Sequence, residues 1–178
     1  MKRLYYVRHG QTVMNTQGIY SGRTDTPLTE EGRRQAKLAG QAAKNMGIDL
    51  IICSPLSRAV ETARIIASEI GYPIDKIEVN PDLIERNFGA MEATPWSPEA
   101  SKSISQLGIT VDVDGIEQID NMITRAKKVV DYAHKHPSRS EHILLVGHGG
   151  IGRAIRHHVK PDHDFHDHIP NAELVRWM

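Results

Sequence analysis

Arg8 and His9 close one apolar run, Leu4-Tyr5-Tyr6-Val7, and His148 closes another, Ile143-Leu144-Leu145-Val146-Gly147. Each run reads as a buried strand, and each histidine is followed by glycine. A guanidinium and an imidazole at the mouth of a buried strand are costly to desolvate unless an anion meets them. If the two strands lie side by side in a parallel sheet, Arg8, His9 and His148 share the carboxyl edge, where such sheets bind ligands. Arg58 joins them, one turn into the helical segment after a third apolar run that ends at Cys53. Two arginines and two histidines around one point suit a small, highly charged anion, and a phosphoryl group is the natural candidate. Gly10, Gly149 and Gly150 let backbone approach such a ligand closely. A helix following Gly150 would direct its N-terminal dipole at it. A single strand-end histidine is an ordinary structural feature; the reading rests on the conjunction.

The elements that must place these groups alternate between apolar runs and helical patterns, which predicts an α/β fold with helices on the faces of a largely parallel sheet. Strands are expected at Arg3–Val7, Leu50–Cys53, Lys76–Val79, His142–Val146 and Glu173–Trp177. A first helix starts after Thr29, which supplies the N-cap, carries Ala36, Ala39, Ala43 and Met46 on one face, and ends near Gly47. A second runs from about Pro55 to Ile70, with Ser54 as N-cap and Pro55 at the first helical position. A third covers roughly Ile116–His136, and a fourth follows Gly150. The stretch Ala90–Gly115 has weak periodicity and reads as a loop with one short helix, a substrate-side insertion or lid, or an ordinary surface excursion. No linker or repeat divides the chain, so one domain over residues 1–178 is expected.

The bulk composition narrows the function classes. Lys plus Arg (22) balance Asp plus Glu (22), so no global field draws nucleic acid or an anionic membrane. No apolar stretch approaches the roughly 20 residues that span a bilayer, and Met1-Lys2-Arg3 before a short apolar run is too little for a signal peptide. The single cysteine, Cys53, fits a reducing cytoplasm and reads as a small buried residue. Five C-terminal histidines, His157, His158, His163, His166 and His168, are irregularly spaced among Asp162, Asp164 and Asp167. They read as a solvated helix end and loop rather than a metal site. Trp96 and Phe88 are candidates for either a pocket wall or the core. The sequence is compatible with a homo-oligomer.

Five blocks carry a resemblance. They are Arg8-His9-Gly10-Gln11-Thr12 with Asn15; Ser21-Gly22-Arg23-Thr24-Asp25-Thr26-Pro27-Leu28-Thr29 with Gly32; Ser54-Pro55-Leu56-Ser57-Arg58-Ala59 with Thr62-Ala63; Leu83-Ile84-Glu85-Arg86-Asn87-Phe88-Gly89; and Gly147-His148-Gly149-Gly150. In this order they resemble the histidine phosphatase superfamily, also called the phosphoglycerate mutase-like family. The resemblance implies that family's three-layer α/β/α sandwich and assigns roles by position. His9 becomes the nucleophile that forms a phosphohistidine. Arg8, Arg58 and His148 bind the phosphoryl oxygens, with Asn15, Ser21, Gly22 and the Gly149 amide beside them. Glu85 becomes the general acid, and Arg86 stands where mutases place a substrate-binding arginine. With so many cationic groups, no metal is called for.

The expected activity is hydrolysis of a small phosphomonoester, without metal or cofactor. The alternative is a phosphoglycerate mutase, which would need 2,3-bisphosphoglycerate; a silent module that only holds a phosphorylated ligand is the third reading. The stretch from Glu85 to His148 is shorter than in mutases, Ala90–Gly115 holds one basic residue, Lys102, and Phe88 replaces their usual tyrosine. Gly89-Ala90-Met91-Glu92-Ala93 departs from the Gly-x-Trp-Glu-Gly of many relatives, with Met91 for tryptophan and Ala93 for the second glycine. The stretch from Gly22 to Thr29 resembles the compact bacterial phosphatases, without fixing a substrate.

Overall fold

Three apolar runs are apolar on both faces, and that decides the architecture. Leu4, Tyr6, Leu50, Ile52, Ile143 and Leu145 join one buried cluster, while the residues between them, Tyr5, Val7, Ile51, Cys53, Leu144 and Val146, join a second. Strands like these need cover on both sides. The computed structural model describes residues 2–138 and 140–178; Met1 and Arg139, both within the expected 1–178 domain, lie outside the described residues. The sheet contains β1 (Arg3–Arg8), β2 (Leu50–Cys53), β3 (Glu78–Val79), β4 (His142–Gly147) and β5 (Val175–Arg176), in the order β3-β2-β4-β1-β5. The first four run parallel, and β5 pairs antiparallel to β1 at one edge. Register matters most between β1 and β4. Arg8 lies opposite Gly147, so the chains leave the sheet in step and His9 and His148 emerge together.

The helices are α1 (Val13–Thr16), α2 (Glu30–Ala43), α3 (Ser57–Ile70), α4 (Pro98–Ser103), α5 (Ile119–His134) and α6 (Gly149–Val159). Ala39 of α2 with Ala59, Ala63, Ile66 and Ala67 of α3 cover the Tyr5 face. Ile119, Met122, Ala126, Val129 and Val130 of α5 with Ile151, Ala154 and Ile155 of α6 cover the Leu4 face. The result is a three-layer α/β/α sandwich around a largely parallel sheet. Thr29 caps α2 as expected, its hydroxyl accepting the Gly32 amide at 3.0 Å. Gly71 closes α3 in the left-handed region, at φ 73°.

Local expectations shift in several places. α3 begins at Ser57 rather than Pro55, and Leu56, not Ser54, stands at its N-cap; the Ser54 hydroxyl accepts the Leu56 amide and also meets His148. The short helix α1 has no apolar periodicity to reveal it. It is held by a reciprocal cap, Thr12 accepting from the Asn15 amide and Asn15 from the Thr12 amide. In the third expected strand only Glu78–Val79 pairs, since Ile74–Lys76 coils into a 3₁₀ turn. The stretch Ala90–Gly115 contains the one expected helix, α4, and packs on a small core of its own, Tyr20, Phe88, Ile104 and Ile116.

That segment is stitched to the 18–20 loop by backbone bonds: Tyr20 N to Thr94 O at 3.0 Å, Ala93 N to Tyr20 O at 2.8 Å, and Trp96 N to Gly18 O at 2.8 Å. The middle bond requires Ala93 at φ 61°, a conformation that opposes any Cβ. The glycine of many relatives at this point thus has a backbone reason. Ala93→Gly keeps the bond and relieves the strain, outweighing glycine's larger entropy loss, so stability should rise by about 0.5–1 kcal/mol. Urea midpoints at constant m-value measure this; a lower midpoint would count against strain at Ala93.

Candidate active site

β1 delivers His9 with its backbone already fixed, the amide donating to Gly147 O at 2.9 Å and the carbonyl accepting from Asn171 Nδ2 at 2.9 Å. The imidazole is buried, with Nδ1 2.7 Å from the Gly10 carbonyl. A carbonyl only accepts, so Nδ1 carries the proton and Nε2 keeps a free lone pair. Burial pushes the His9 pKa well below its ordinary value, helped by His148, Arg8 and Arg58 and opposed by the Gly10 bond. The ring is therefore neutral, and Nε2 is nucleophilic.

His148 stands beside it, with ring centroids 5.2 Å apart. Its Nε2 is 2.6 Å from Ser54 Oγ, which also accepts the Leu56 amide at 3.3 Å. Among the described residues the Ser54 hydroxyl has no other acceptor for its own proton, so that proton is assigned to the bond with His148 Nε2 and the imidazole proton to Nδ1. Burial, then Arg58 and Arg8, hold this pKa well below the ordinary value too.

Both arginines are anchored through carbonyls. Arg8 Nη1 donates to Ile169 O at 2.9 Å. Arg58 donates to Thr24 O at 2.9 Å and Gly22 O at 2.6 Å, so it also shapes the loop bearing Ser21 and Gly22. Arg8 Nε, Arg58 Nε, His148 Nδ1 and Ser21 Oγ are buried with no hydrogen-bond partner among the described residues. Buried donors are almost always paired. Four unpaired ones around a neutral imidazole suit the oxygens of a tetrahedral oxyanion.

Asn15 and Gly149 line the same cleft. Asn15 Oδ1 already accepts from Thr12 N and Asn171 Nδ2, which leaves its own Nδ2 as the donor. The Glu85 carboxylate borders the cleft and is 8 % exposed. Oε1 accepts the Arg86 and Ile151 amides at 2.7 and 3.0 Å, and Oε2 accepts the Gly150 amide at 2.9 Å. Oε2 is thus the oxygen with an acceptor site to spare. Gly150 must be glycine here, because a Cβ would stand 2.5 Å from Glu85 Oε1.

Arg86 departs from its expected place. It is fully buried and absent from the cleft wall, with Nε donating to Glu117 O at 2.8 Å and Cζ 5.5 Å from the Phe88 ring centre. The C-terminal loop departs as well. His166, His168 and Asp164 line the cleft instead of lying wholly in solvent, because Arg156 folds the loop back by binding the carbonyls of Asp164 and Asp167. Among the described residues no group of three or more His, Cys, Asp or Glu side chains could hold a metal. Cys53 is buried at the end of β2 with its thiol pushed up to about 11 by burial. Sequence reasoning missed Asn171 and Arg153. Asn171 has no pattern to announce it, whereas Arg153 follows Gly149 by four positions and so shares its helix face.

The cleft measures about 670 Å³, in the range of small-molecule sites. The profile of the histidine phosphatase superfamily (branch 1) matches residues 4–177. The chain belongs to that superfamily. Phosphoglycerate mutase-like protein 4 of Arabidopsis thaliana is 36 % identical over 166 residues, 87 % of this chain and 70 % of that protein. A mycobacterial glucosyl-3-phosphoglycerate phosphatase solved with VO3 shares the fold at TM-score 0.84 and 24 % identity, covering 99 % of this chain and 92 % of that one. A putative α-ribazole-5′-P phosphatase from Escherichia coli K-12 matches at TM-score 0.80 and 25 % identity, covering 99 % and 90 %. The relatives carry the names of both phosphatases and a mutase, so the match supports an enzyme and does not fix its reaction.

The two neutral histidines give this member a pH signature. Unfolded imidazoles bind a proton near pH 6.5, while His9 and His148 stay neutral to lower pH in the fold. The unfolded state then holds more protons, and stability falls as pH drops below 6.5. Each histidine contributes up to about 1.4 kcal/mol per pH unit until its folded pKa is reached. Urea unfolding between pH 7 and 5 should show this slope, and His148→Gln should lower it. A flat profile would mean that the imidazoles are charged when folded.

Proposed function

We propose that the protein is a metal-independent phosphomonoesterase that works through a phosphohistidine on His9. The observation that carries this is a neutral imidazole with Nδ1 tied to the Gly10 carbonyl, facing four buried donors that lack protein partners. His9 Nε2 attacks phosphorus as the bond to the leaving oxygen breaks. Arg8, Arg58, His148 and Ser21 take the charge that gathers on the other oxygens. Glu85 Oε2 gives a proton to the leaving oxygen, then takes one from the water that attacks the phosphohistidine, which returns His9 and releases phosphate. The resemblance to a putative α-ribazole-5′-P phosphatase supports a hydrolase on a small metabolite.

The second reading is a phosphoglycerate mutase, favoured by the name of the Arabidopsis relative. The cleft speaks for hydrolysis: Arg86, the mutase-like arginine, is fully buried behind the cleft wall with Nε on Glu117 O and Nη2 unpaired among the described residues, and the 90–115 segment brings one cation, Lys102, to the wall. The deciding measurement pairs phosphate release from a panel of phosphomonoesters with 3- to 2-phosphoglycerate interconversion in the presence of 2,3-bisphosphoglycerate. Hydrolysis should exceed mutase flux and survive excess chelator; the reverse ordering would overturn the proposal. His9→Ala should abolish turnover together with the acid-labile ³²P label on the protein.

Glu85→Gln places an amide among backbone donors, so a stability loss of about 1–3 kcal/mol is expected. Beyond that, turnover of alkyl phosphates should fall by roughly 10²-fold or more while p-nitrophenyl phosphate, with its good leaving group, loses far less. Equal losses on both substrates would remove the acid role from Glu85.

A further inference from the structure

The 22–24 loop stands between a cation and an anion. On one side its carbonyls take the Arg58 guanidinium, Gly22 O from Nη2 at 2.6 Å and Thr24 O from Nη1 at 2.9 Å. On the other its amides meet the Glu92 carboxylate, Arg23 N donating to Oε1 at 2.9 Å and Thr24 N to Oε2 at 3.0 Å. The Thr24 hydroxyl adds a bond to Oε2 at 2.5 Å, and the Phe88 amide one to Oε1 at 3.2 Å. Glu92 is thus taken up by donors of the protein, and it is absent from the cleft wall. Gly22 is at φ 51°, and a Cβ there would stand 2.2 Å from Glu92 Oε1, so no larger residue fits between loop and carboxylate. The turn's internal backbone bond, Thr24 N to Ser21 O at 2.9 Å, shares its hydrogen with Glu92.

One peptide unit joins the two charges directly. The peptide between Gly22 and Arg23 accepts from Arg58 at its oxygen and donates to Glu92 through its N–H. It is trans, and a trans peptide is planar with C=O and N–H opposed, so fixing one end fixes the other. A carboxylate on the N–H also polarises the unit and strengthens the bond its oxygen accepts. We propose that Glu92 is a positioning residue for the phosphoryl site: through the 22–23 peptide it sets the direction of the Arg58 guanidinium, whose Nε is left free for the oxyanion, without touching the substrate. A carboxylate paired with Arg58 face to face would cancel its charge; one acting through a peptide aims the guanidinium and leaves the charge in place. Arg23 extends the same grip. Its amide is held by Glu92 and its Nε donates to the Glu85 carbonyl at 3.1 Å, so the loop that aims Arg58 also braces the segment of Glu85.

This role rests on the phosphomonoesterase reading, and the test separates the two by measuring anion binding, which needs no turnover. Affinity for orthovanadate and inorganic phosphate is measured by calorimetry on wild type, Glu92→Gln and Glu92→Ala, each shown to be folded by its urea transition. Glu92→Ala should weaken orthovanadate by about 10- to 100-fold. Glu92→Gln keeps a carbonyl oxygen for the Arg23 amide and should lose less. The loss is then measured again in Arg58→Gln and Arg8→Gln backgrounds, which a general loosening of the fold would not distinguish. Once Arg58 is gone, Glu92→Ala should cost no more than about two-fold; beside Arg8→Gln, whose arginine is anchored separately on Ile169 O, the full loss should remain. Equal losses in the two backgrounds, or a loss under about two-fold in the otherwise wild-type protein, would overturn the positioning role. If a doubly substituted protein does not fold, heteronuclear NMR of the guanidinium in Glu92→Gln decides. The wild-type Arg58 Nη protons, held on two carbonyls, should give resolved resonances that merge in the variant, and unchanged resonances refute the role. If no phosphomonoester is hydrolysed while the binding pattern holds, the phosphatase reading fails alone. If hydrolysis proceeds and the two backgrounds lose equally, the positioning role fails alone.

Discussion

The structure turns on a concentration of positive charge that one buried carboxylate, Glu85, offsets only in part. Arg58, His9 and His148 are buried at one edge of the sheet, and Arg8 beside them is half-buried. Their hydrogen bonds go to carbonyls: Ile169 for Arg8, Gly22 and Thr24 for Arg58, Gly10 for His9. The carboxylate nearest Arg58, Asp25, is 3.8 Å away and half-exposed. A carbonyl satisfies a donor but leaves the charge in place, whereas a buried carboxylate would cancel it. Burial, and then the same charge, keeps both imidazoles neutral, since a further proton would be poorly hydrated and would add to a cationic cluster. One constraint thus prepares both the anion site and the nucleophile.

Holding such a cluster demands rigid neighbours, and Glu85 shows how they are supplied. Its segment is clamped from α5 and the turn before it. Arg125 grips Glu117 with two bonds, Nε to Oε1 at 2.7 Å and Nη2 to Oε2 at 2.8 Å, and its Nη1 reaches the carbonyls of Asp82 and Ile84. The Glu117 carbonyl holds Arg86, and its carboxylate accepts the Asn87 amide at 3.3 Å. This bidentate pair is largely buried, so little solvent screens it. It fixes the backbone on both sides of Glu85, while the start of α6 fixes the carboxylate. Arg86 is better understood as part of that clamp than as a substrate ligand.

The division between what was legible in the sequence and what was not follows a physical line. Apolar runs such as Ile143–Val146 announce buried parallel strands, and from the register of two strands the meeting of His9 and His148 follows at once. Thr29 announces the start of α2 because a cap is a local interaction. Ser54 misled for the same reason: it has the right type for an N-cap and does accept the Leu56 amide, yet the helix starts only at Ser57 and the same hydroxyl also meets His148. Arg86 shows that charge alone does not tell whether an arginine lies on the cleft wall or behind it. Asn171, Arg153 and the inward turn of His166 depend on where a loop returns, which no spacing within that loop encodes.

That returning loop carries the last step. Tyr6 stacks on Trp177 at 4.3 Å and donates to the His148 carbonyl at 2.6 Å, tying the C-terminal edge of the sheet to the second histidine. Just before it, Ile169 holds Arg8, Asn171 holds the His9 carbonyl, and the Ala172 amide donates to Arg8 O at 2.8 Å. The segment therefore braces the phosphoryl site from behind while its earlier half, Asp164 to His168, forms part of the cleft wall. The 90–115 segment does the same from the other side, with a small core of its own behind Trp96 and Lys102. The phosphoryl site is built from strand ends and helix starts, common to either reaction of the superfamily. The walls beyond it come from these two segments together with the 18–22 loop, Phe88 and Arg153 of α6. On the proposed reading, whether water or a second hydroxyl accepts the phosphoryl group is accordingly a property of the walls and not of His9.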